Sequence, residues 1–464
     1  MRFENQKVKG IKIAYIGGGS RGWAWNFMSD LASAEDISGE VRLYDIDNDA
    51  AKKNEIIGNK FSALEDAKSI WNYSVADKIE DALIGANFVI ISILPGTFDE
   101  MESDVHTPEK YGIYQSVGDT TGPGGILRAM RTIPMFEEIA ENIKKYSPDA
   151  WVINYTNPMT LCVKTLYRVF PKIKAFGCCH EVFGTQKVLM KALENVEGIK
   201  AEKRQDIKVN PVGVNHFTWL TKANYKNIDL FPVYVEFVQR FAETGHTENL
   251  DKNWMNNSFE CCEKVKFDLF KRYGYIAAAG DRHLAEFCEG KWYLKDPDTV
   301  KGWGFGLTTV KWRKEDLQER LKKSEEYVNG AVEIKVTEEE GINQIRAILG
   351  LEDLITNVNI PNMGQIPNLP IGAIVETNAV FRSGSVTPVI AGEIPKSIYA
   401  MIQRICGEQE ELSDAIANRD IERIFNAFVN DPLVTCSFDD AKALFKEMVL
   451  NTKEYLKSYD LTQF

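Results

Sequence analysis

The chain has 464 residues, 44% hydrophobic and 26% charged, with a net charge of −12. That length predicts roughly two or three domain-sized units, and the acidic balance excludes a basic surface for nucleic acid or anionic membrane. No apolar run approaches the ~20 residues of a membrane span. The polar opening MRFENQKVKG is not a secretory leader, and eight cysteines without a regular framework predict free thiols in a reducing cytoplasm.

Short apolar runs alternate with helical stretches through the first half. Ile11 to Ile16, Val41 to Tyr44, Phe88 to Leu94, Trp151 to Asn154 and Ile173 to Cys178 read as strands, and Arg128 to Tyr146 has helical spacing. This alternation predicts a parallel, doubly wound α/β sheet. After about residue 200 the pattern changes. Ile207 to Leu220 reads as one strand, Phe231 to Ala242 and Lys314 to Val328 as helices. Leu351 to Ala391 is rich in Asn, Pro and Gly with β-like runs such as Ala373 to Thr377, and Lys396 to Leu456 is helical again. The division expected is a nucleotide-binding Rossmann domain over 1–200. A mixed α/β domain over 201–464 would serve substrate, metal and self-association.

Gly17, Gly19 and Gly22 fit G-x-G-x-x-G in GGGSRG, with Ser20 in the same loop. The motif alone is weak. Here it ends a strand and opens a helix at Trp23, where a tight turn, close backbone approach and a helix N-terminus receive a pyrophosphate. Asp45 ends the next strand, where a carboxylate binds the ribose hydroxyls and repels a 2′-phosphate, favouring NAD over NADP.

Five further segments carry chemistry. Asn154-Tyr155-Thr156-Asn157-Pro158 follows a strand, where asparagines hold a sugar hydroxyl or a ribose, although a polar turn explains the segment equally. Cys179-His180-Glu181 offers a soft metal ligand at a strand end, and an isolated cysteine there is otherwise simply buried. His216 in GVNHFTW is a ligand or a satisfied core histidine. Asp281-Arg282-His283, with Glu286, follows a run of small residues and enters a cleft or caps a helix. Asp119 opens DTTGPGG, a tight loop before the helix at Arg128. Together they set a soft Cys/His pair beside a nicotinamide, which a simple hydride enzyme does not need. A sugar or 2-hydroxy acid dehydrogenase and a non-catalytic NAD-binding sensor remain the alternatives.

GGGSRG, Asp45, DTTGPGG with RAMRTIP, NYTNP, CHEV, GVNH and GDRHLAEF, in that order, resemble the NAD- and divalent-metal-dependent glycoside hydrolases of family 4. CHEV resembles the α-galacturonidase branch. The resemblance implies a fold like lactate and malate dehydrogenase, a homo-oligomer, and a metal, usually manganese, held by Cys179 and His216 with sugar hydroxyls. It implies cleavage by oxidation, elimination, addition and reduction, an exception to the two-carboxylate scheme. Asp281 is then the base and His180 the acid or a substrate-orienting group. Asn157, Asn154 and Asp119 bind sugar, and Arg282 suits a uronate carboxylate, because a planar guanidinium binds one in bidentate fashion. Two departures stand out. Met101 occupies the place of a basic residue of the phospho-glycosidases, which argues against a phosphorylated sugar, and Asp119 stands where most members carry Glu.

Overall fold

The computed structural model describes residues 1–247, 261–337 and 339–462. Strand β1 (Arg2–Glu4) lies antiparallel on β2 (Lys7–Ile16), and β2 is the centre of a ten-stranded sheet. To one side of β2 run β3 (Ile37–Tyr44) and β4 (Trp71–Val75). To the other run β5 (Phe88–Ile91), β6 (Trp151–Asn154) and β7 (Lys174–Gly177), all parallel. Every residue of β5 is buried, because helices cover both faces of a parallel sheet and the strand has no solvent side to keep polar. The order β4-β3-β2-β5-β6-β7 reverses direction between β2 and β5, and at such a switch point the carboxyl ends of the strands open a crevice.

The chain returns to this sheet late. Strands β12 (Leu354–Pro361), β13 (Ile374–Arg382) and β14 (Ser385–Pro388) add antiparallel beyond β7. Val332, Ile342 and Ile345 also pack in one cluster with Trp25, Phe27 and Leu31. Packing therefore crosses the sequence division at residue 200. A smaller four-stranded sheet holds β8 (Ile207–Val214), β9 (Phe217–Tyr225), β10 (Ile228–Asp229) and β11 (Ile276–Ala277). The single strand expected over Ile207 to Leu220 is instead a hairpin that turns at Asn215-His216, with His216 at φ 64°. Apolar residues on both sides of the turn hide it from a periodicity argument.

The helix expected from Arg128 begins six residues earlier, at Gly122. Its first turn is glycine-rich because the backbone is crowded: a Cβ on Gly125 would stand 2.5 Å from the carbonyl carbon of Thr120. The helices Lys396–Ala417, Ile421–Asn430 and Phe438–Asn451 close the largest apolar cluster over this helix and over β8 and β9. That cluster fixes the hairpin turn at His216 against the Asp119 loop.

Candidate active site

The glycine loop leaves β2 at the switch point. Gly17 (φ 91°) lies so close to β5 that a Cβ would stand 2.0 Å from Ser92 O, which only glycine permits. The Gly17 and Gly18 N–H groups donate to Tyr44 O, and Ser20 N donates back to Gly17 O. Gly19 N donates to Asp45 Oδ2 at 2.8 Å, and Asp47 N to Asp45 Oδ1 at 2.8 Å. Gly22 opens helix Trp23–Ser33 with no side-chain cap, so the helix N-terminus faces the crevice edge with its own N–H groups. Arg320, from helix Val310–Asn329, lies over this loop and donates from Nη1 to Arg21 O at 2.9 Å.

Past the ends of β6 and β7 a second group assembles from four separate segments. The His216 ring packs on the His283 ring, centroids 3.9 Å apart. Thr120 Oγ1 lies 2.7 Å from Asp119 Oδ1 and 3.0 Å from His216 Nδ1. Burial raises the Asp119 carboxyl, but Arg128, His216, His283 and the Thr120 hydroxyl outweigh it and hold it at about 2. An ionised Asp119 can only accept, so Thr120 donates to it and must accept from His216 Nδ1–H. The tautomer that results leaves His216 Nε2 with its lone pair, the form a metal requires. Burial first, and then His283, hold His216 down at about 3, so the ring is neutral.

Cys179 reaches the same group. Its sulfur lies near the Asn215 side chain, whose own polar atoms are buried without a hydrogen-bond partner, and near the Glu181 backbone N–H. Burial, with Glu376 and Glu181, pushes the thiol well above its ordinary range, so it ionises only beside a cation. Glu376 accepts from Thr218 Oγ1 at 2.5 Å and Asn357 Nδ2 at 2.8 Å, and Asn357 Nδ2 also lies 3.3 Å from Cys179 O. Glu181 Oε2 accepts from Gly280 N at 2.7 Å, and its Oε1 lies 3.5 Å from His283 Nε2. Burial raises Glu181, and His283, His216, His180 and the Gly280 N–H together pull it down to about 2. A neutral imidazole in the right tautomer, a soft sulfur that lacks a counter-cation, and ionised carboxylates behind both fit a divalent metal.

The other expected residues separate into two sets. His180 is exposed, stacks on Trp23 with centroids 6.0 Å apart, and has Nδ1 3.5 Å from Glu339 Oε1. It stands between the glycine loop and the Cys/His group. Asn157 Oδ1 is buried without a hydrogen-bond partner, and Asn157 O accepts from Arg128 Nε at 3.1 Å. Asn154, by contrast, closes its own turn: Oδ1 accepts from Thr156 N and Nδ2 donates to Thr156 O, each at 3.0 Å. The Arg282 guanidinium is buried against the Asp119 loop and donates from Nη2 to Ser116 O at 2.6 Å and to Thr308 Oγ1.

Asp281 is not brought into this group. It is fully buried and accepts from the backbone N–H of Val265 (3.2 Å) and Lys266 (3.0 Å) at the start of helix Lys264–Tyr273. With Cys261 and Glu263 it brings three donor atoms within 4.8 Å of one another, but the Lys266 ammonium already lies 2.5 Å from Glu263 Oε2. Burial and then Glu263 raise Asp281 to about 7. Residues without an assigned role in the sequence enter the site instead: His283, Glu181, Asn215, Glu376, Thr120 and Arg128. One signal was available, since residues 283 and 286 share a helix face that residue 281 does not. Glu286 Oε1 accepts from the N–H of Val117 and Gly118, on the Asp119 loop.

Fold and site define a Rossmann-type α/β protein with a Cys/His group at the carboxyl edge of its sheet. Family 4 glycosyl hydrolase matches residues 12–195, and the family 4 glycosyl hydrolase C-terminal domain matches residues 211–434. An alpha-galacturonidase of Thermoanaerobacterium saccharolyticum is 62% identical over 99% of this chain and 100% of that protein. The solved structure of lplD from Bacillus subtilis superposes with a TM-score of 0.90 at 50% identity, over 95% of this chain and all of the other. A 6-phospho-beta glucosidase from Thermotoga maritima, solved with manganese, NAD+ and glucose-6-phosphate, shares the fold at 22% identity. Its TM-score is 0.74 over 96% of this chain and 99% of its own. The chain belongs to family 4 of the glycosyl hydrolases and is a glycosidase. All eight cysteines are free, and among the described residues no helix is long and apolar enough to cross a membrane.

Proposed function

We propose that the protein hydrolyses α-galacturonides, with NAD bound at the Gly17–Gly22 loop and Asp45 and a divalent cation, manganese foremost, at Cys179 and His216. The observation that supports this is the His216–His283 stack, joined through Glu181, which lies near both His283 and the Cys179 thiol. The activity printed for the 62% identical relative supplies the sugar class. When bound, the nicotinamide accepts and returns a hydride at sugar C3, and the cation polarises the neighbouring C2 and C3 oxygens.

The chain's own residues then divide the proton work. His283 takes the proton at C2. Burial lowers its basicity, so at neutral pH it is an unprotonated imidazole, and its Nδ1 makes no hydrogen bond within the protein. Glu181 fixes that ring from Nε2 and is itself fixed by the Gly280 N–H. His283 replaces Asp281 in this role, because Asp281 is committed to the helix Lys264–Tyr273. His180, at the exposed side, serves the departing glycosidic oxygen, and Asn157 Oδ1 and Asp119 receive sugar hydroxyls.

The free thiols support a reducing cytoplasm as its compartment. The exposed Met363, Ile371 and Ile390, on loops joined by backbone hydrogen bonds, support the self-association proposed for the chain. The test is hydrolysis of 4-nitrophenyl α-galacturonide in D2O with manganese, NAD and thiol. Deuterium appears at C2 of the released sugar, with no net NADH. Cleavage by enzyme stripped of NAD, with C2–H fully retained, rejects the reading, and accumulation of NADH turns it into a dehydrogenase.

A further inference from the structure

The helix Val310–Asn329 is pinned at both ends. At its start Val310 N donates to His106 Nε2 at 3.1 Å, and Val310 packs on Met101 and Val105. At its end Lys60 Nζ donates to Tyr327 O at 3.0 Å and to Val328 O at 2.6 Å, and the Tyr327 ring meets Trp25 edge-on, centroids 5.2 Å apart. His106 closes the helix that follows β5, and Lys60 lies in the helix that follows β3. Both strands flank β2, so the helix bridges the two sides of the loop that leaves β2.

The third glycine of GGGSRG faces the middle of that helix. A Cβ on Gly22 would stand 2.6 Å from Arg320 Nη1, so the missing side chain makes room for a guanidinium. Two contacts fix the group. Nε donates to Asp316 Oδ2 at 2.6 Å, one helical turn back, and Nη1 donates to Arg21 O at 2.9 Å. Nη2 makes no hydrogen bond among the described residues, and the side chain is 39% exposed. Arg21 Nε, in the same loop, is buried without a hydrogen-bond partner. Two guanidinium N–H groups thus stand at the start of helix Trp23–Ser33 with no acceptor from the protein.

We infer that Arg320 binds the pyrophosphate of the dinucleotide, a cation brought by the second half of the chain to the glycine loop of the first. This rests on the reading of that loop as the NAD site. The loop and the helix start offer backbone N–H groups to phosphate oxygens, and Arg320 Nη2 adds a charge-assisted bond beside them. Asp316 offsets part of the charge and holds the guanidinium in one orientation. The gain expected is therefore that of one hydrogen bond to a charged group, not that of an unpaired cation. Arg320 also ties cofactor binding to the placement of the bridging helix.

Calorimetric titration of NAD, ADP-ribose and adenosine into manganese-loaded enzyme stripped of NAD tests it, with wild type, R320M and R320Q. NAD and ADP-ribose share the pyrophosphate, and adenosine lacks it. In both variants NAD and ADP-ribose should bind about tenfold more weakly, while adenosine shifts by less than about twofold. Equal weakening of all three overturns the assignment, because Arg320 then only holds the loop in shape. Unchanged ADP-ribose binding overturns it as well. R320Q decides the matter if R320M does not fold. Wild type that binds neither NAD nor ADP-ribose rejects the NAD reading of the loop, and the Arg320 role with it. Wild type that binds both, beside variants that bind them equally well, removes the Arg320 role alone.

Discussion

Two buried clusters lie on either side of Asp281–His283, and both combine cysteine with carboxylates. Around Cys261, Glu263 and Asp281 the charge is balanced from within: Lys266 meets Glu263, and two backbone N–H groups meet Asp281. Around Cys179 the partners are amides, hydroxyls and imidazoles: Asn215, Thr218, Asn357, His216 and His283. The first cluster is a completed ion-pair network that ties a helix start to the core. Among the described residues the second has an internal cation only at its Asp119 edge, Arg128, and around the sulfur itself neutral groups and carboxylates, which supports a bound cation there. Ligand type alone does not separate a metal site from a structural knot; the supply of counter-charge does.

The largest effect expected from this contrast is on the two cysteines. C179S should lower kcat/KM on 4-nitrophenyl α-galacturonide by more than about 10³-fold, since a hydroxyl is a far poorer ligand than a thiolate. C261S should stay within about threefold of wild type, and so should C178S, because Cys178 instead donates to Gln344. Activity should also vanish on chelation and return with manganese plus thiol. A dead C261S beside an active C179S would exchange the two roles.

Much of the site was legible because its signals are local. Gly17, Gly22 and Asp45 declare themselves through a strand, a turn and a helix start within some 30 residues. Cys179 and His216 are proposed as ligands from order along the chain, whereas the proposal of His283 in place of Asp281 as base needed the structure. Asp281 and His283 are two positions apart on a helix of six residues, Asp281–Glu286, whose period groups 283 with 286 and away from 281 but does not say which of the two faces meets the crevice. Glu376 was hidden differently: it lies in the apolar run Ala373 to Thr377, and only the neighbouring β12 reveals that its partner is Asn357. The turn at Asn215-His216 was lost because both flanking strands are apolar.

A second, smaller contrast separates those two neighbours on the short helix. H283N should lower kcat at least about a hundredfold with NAD affinity retained, as expected for loss of a positioned base. D281N should leave kcat within about tenfold and instead lower the thermal midpoint by several degrees, since it disturbs the start of helix Lys264–Tyr273. Loss of C2 deuterium exchange in D281N, with exchange intact in H283N, would return the base to Asp281.

A last effect, on stability alone, concerns Glu286, which joins the short helix to the Asp119 loop. Burial raises its carboxyl from 4.5 to about 8, against the pull of the Val117 and Gly118 N–H groups. Between those two values the folded protein keeps a proton that the unfolded chain has lost. Stability from this group is therefore full below about pH 4.5 and falls as pH rises towards 8, with a limiting slope of about 1.4 kcal/mol per pH unit. E286Q keeps an acceptor for Val117 and Gly118 and cannot ionise, so it removes the slope. Urea midpoints at pH 5, 6, 7 and 8 should lie close together for the two proteins at pH 5 and separate steadily, with E286Q the more stable at pH 8. Other titrating groups bend both curves alike, so the difference isolates this carboxyl. Parallel curves across the range would mean that Glu286 ionises in the folded state at its ordinary pH, and that the Asp119 loop is held against a charge.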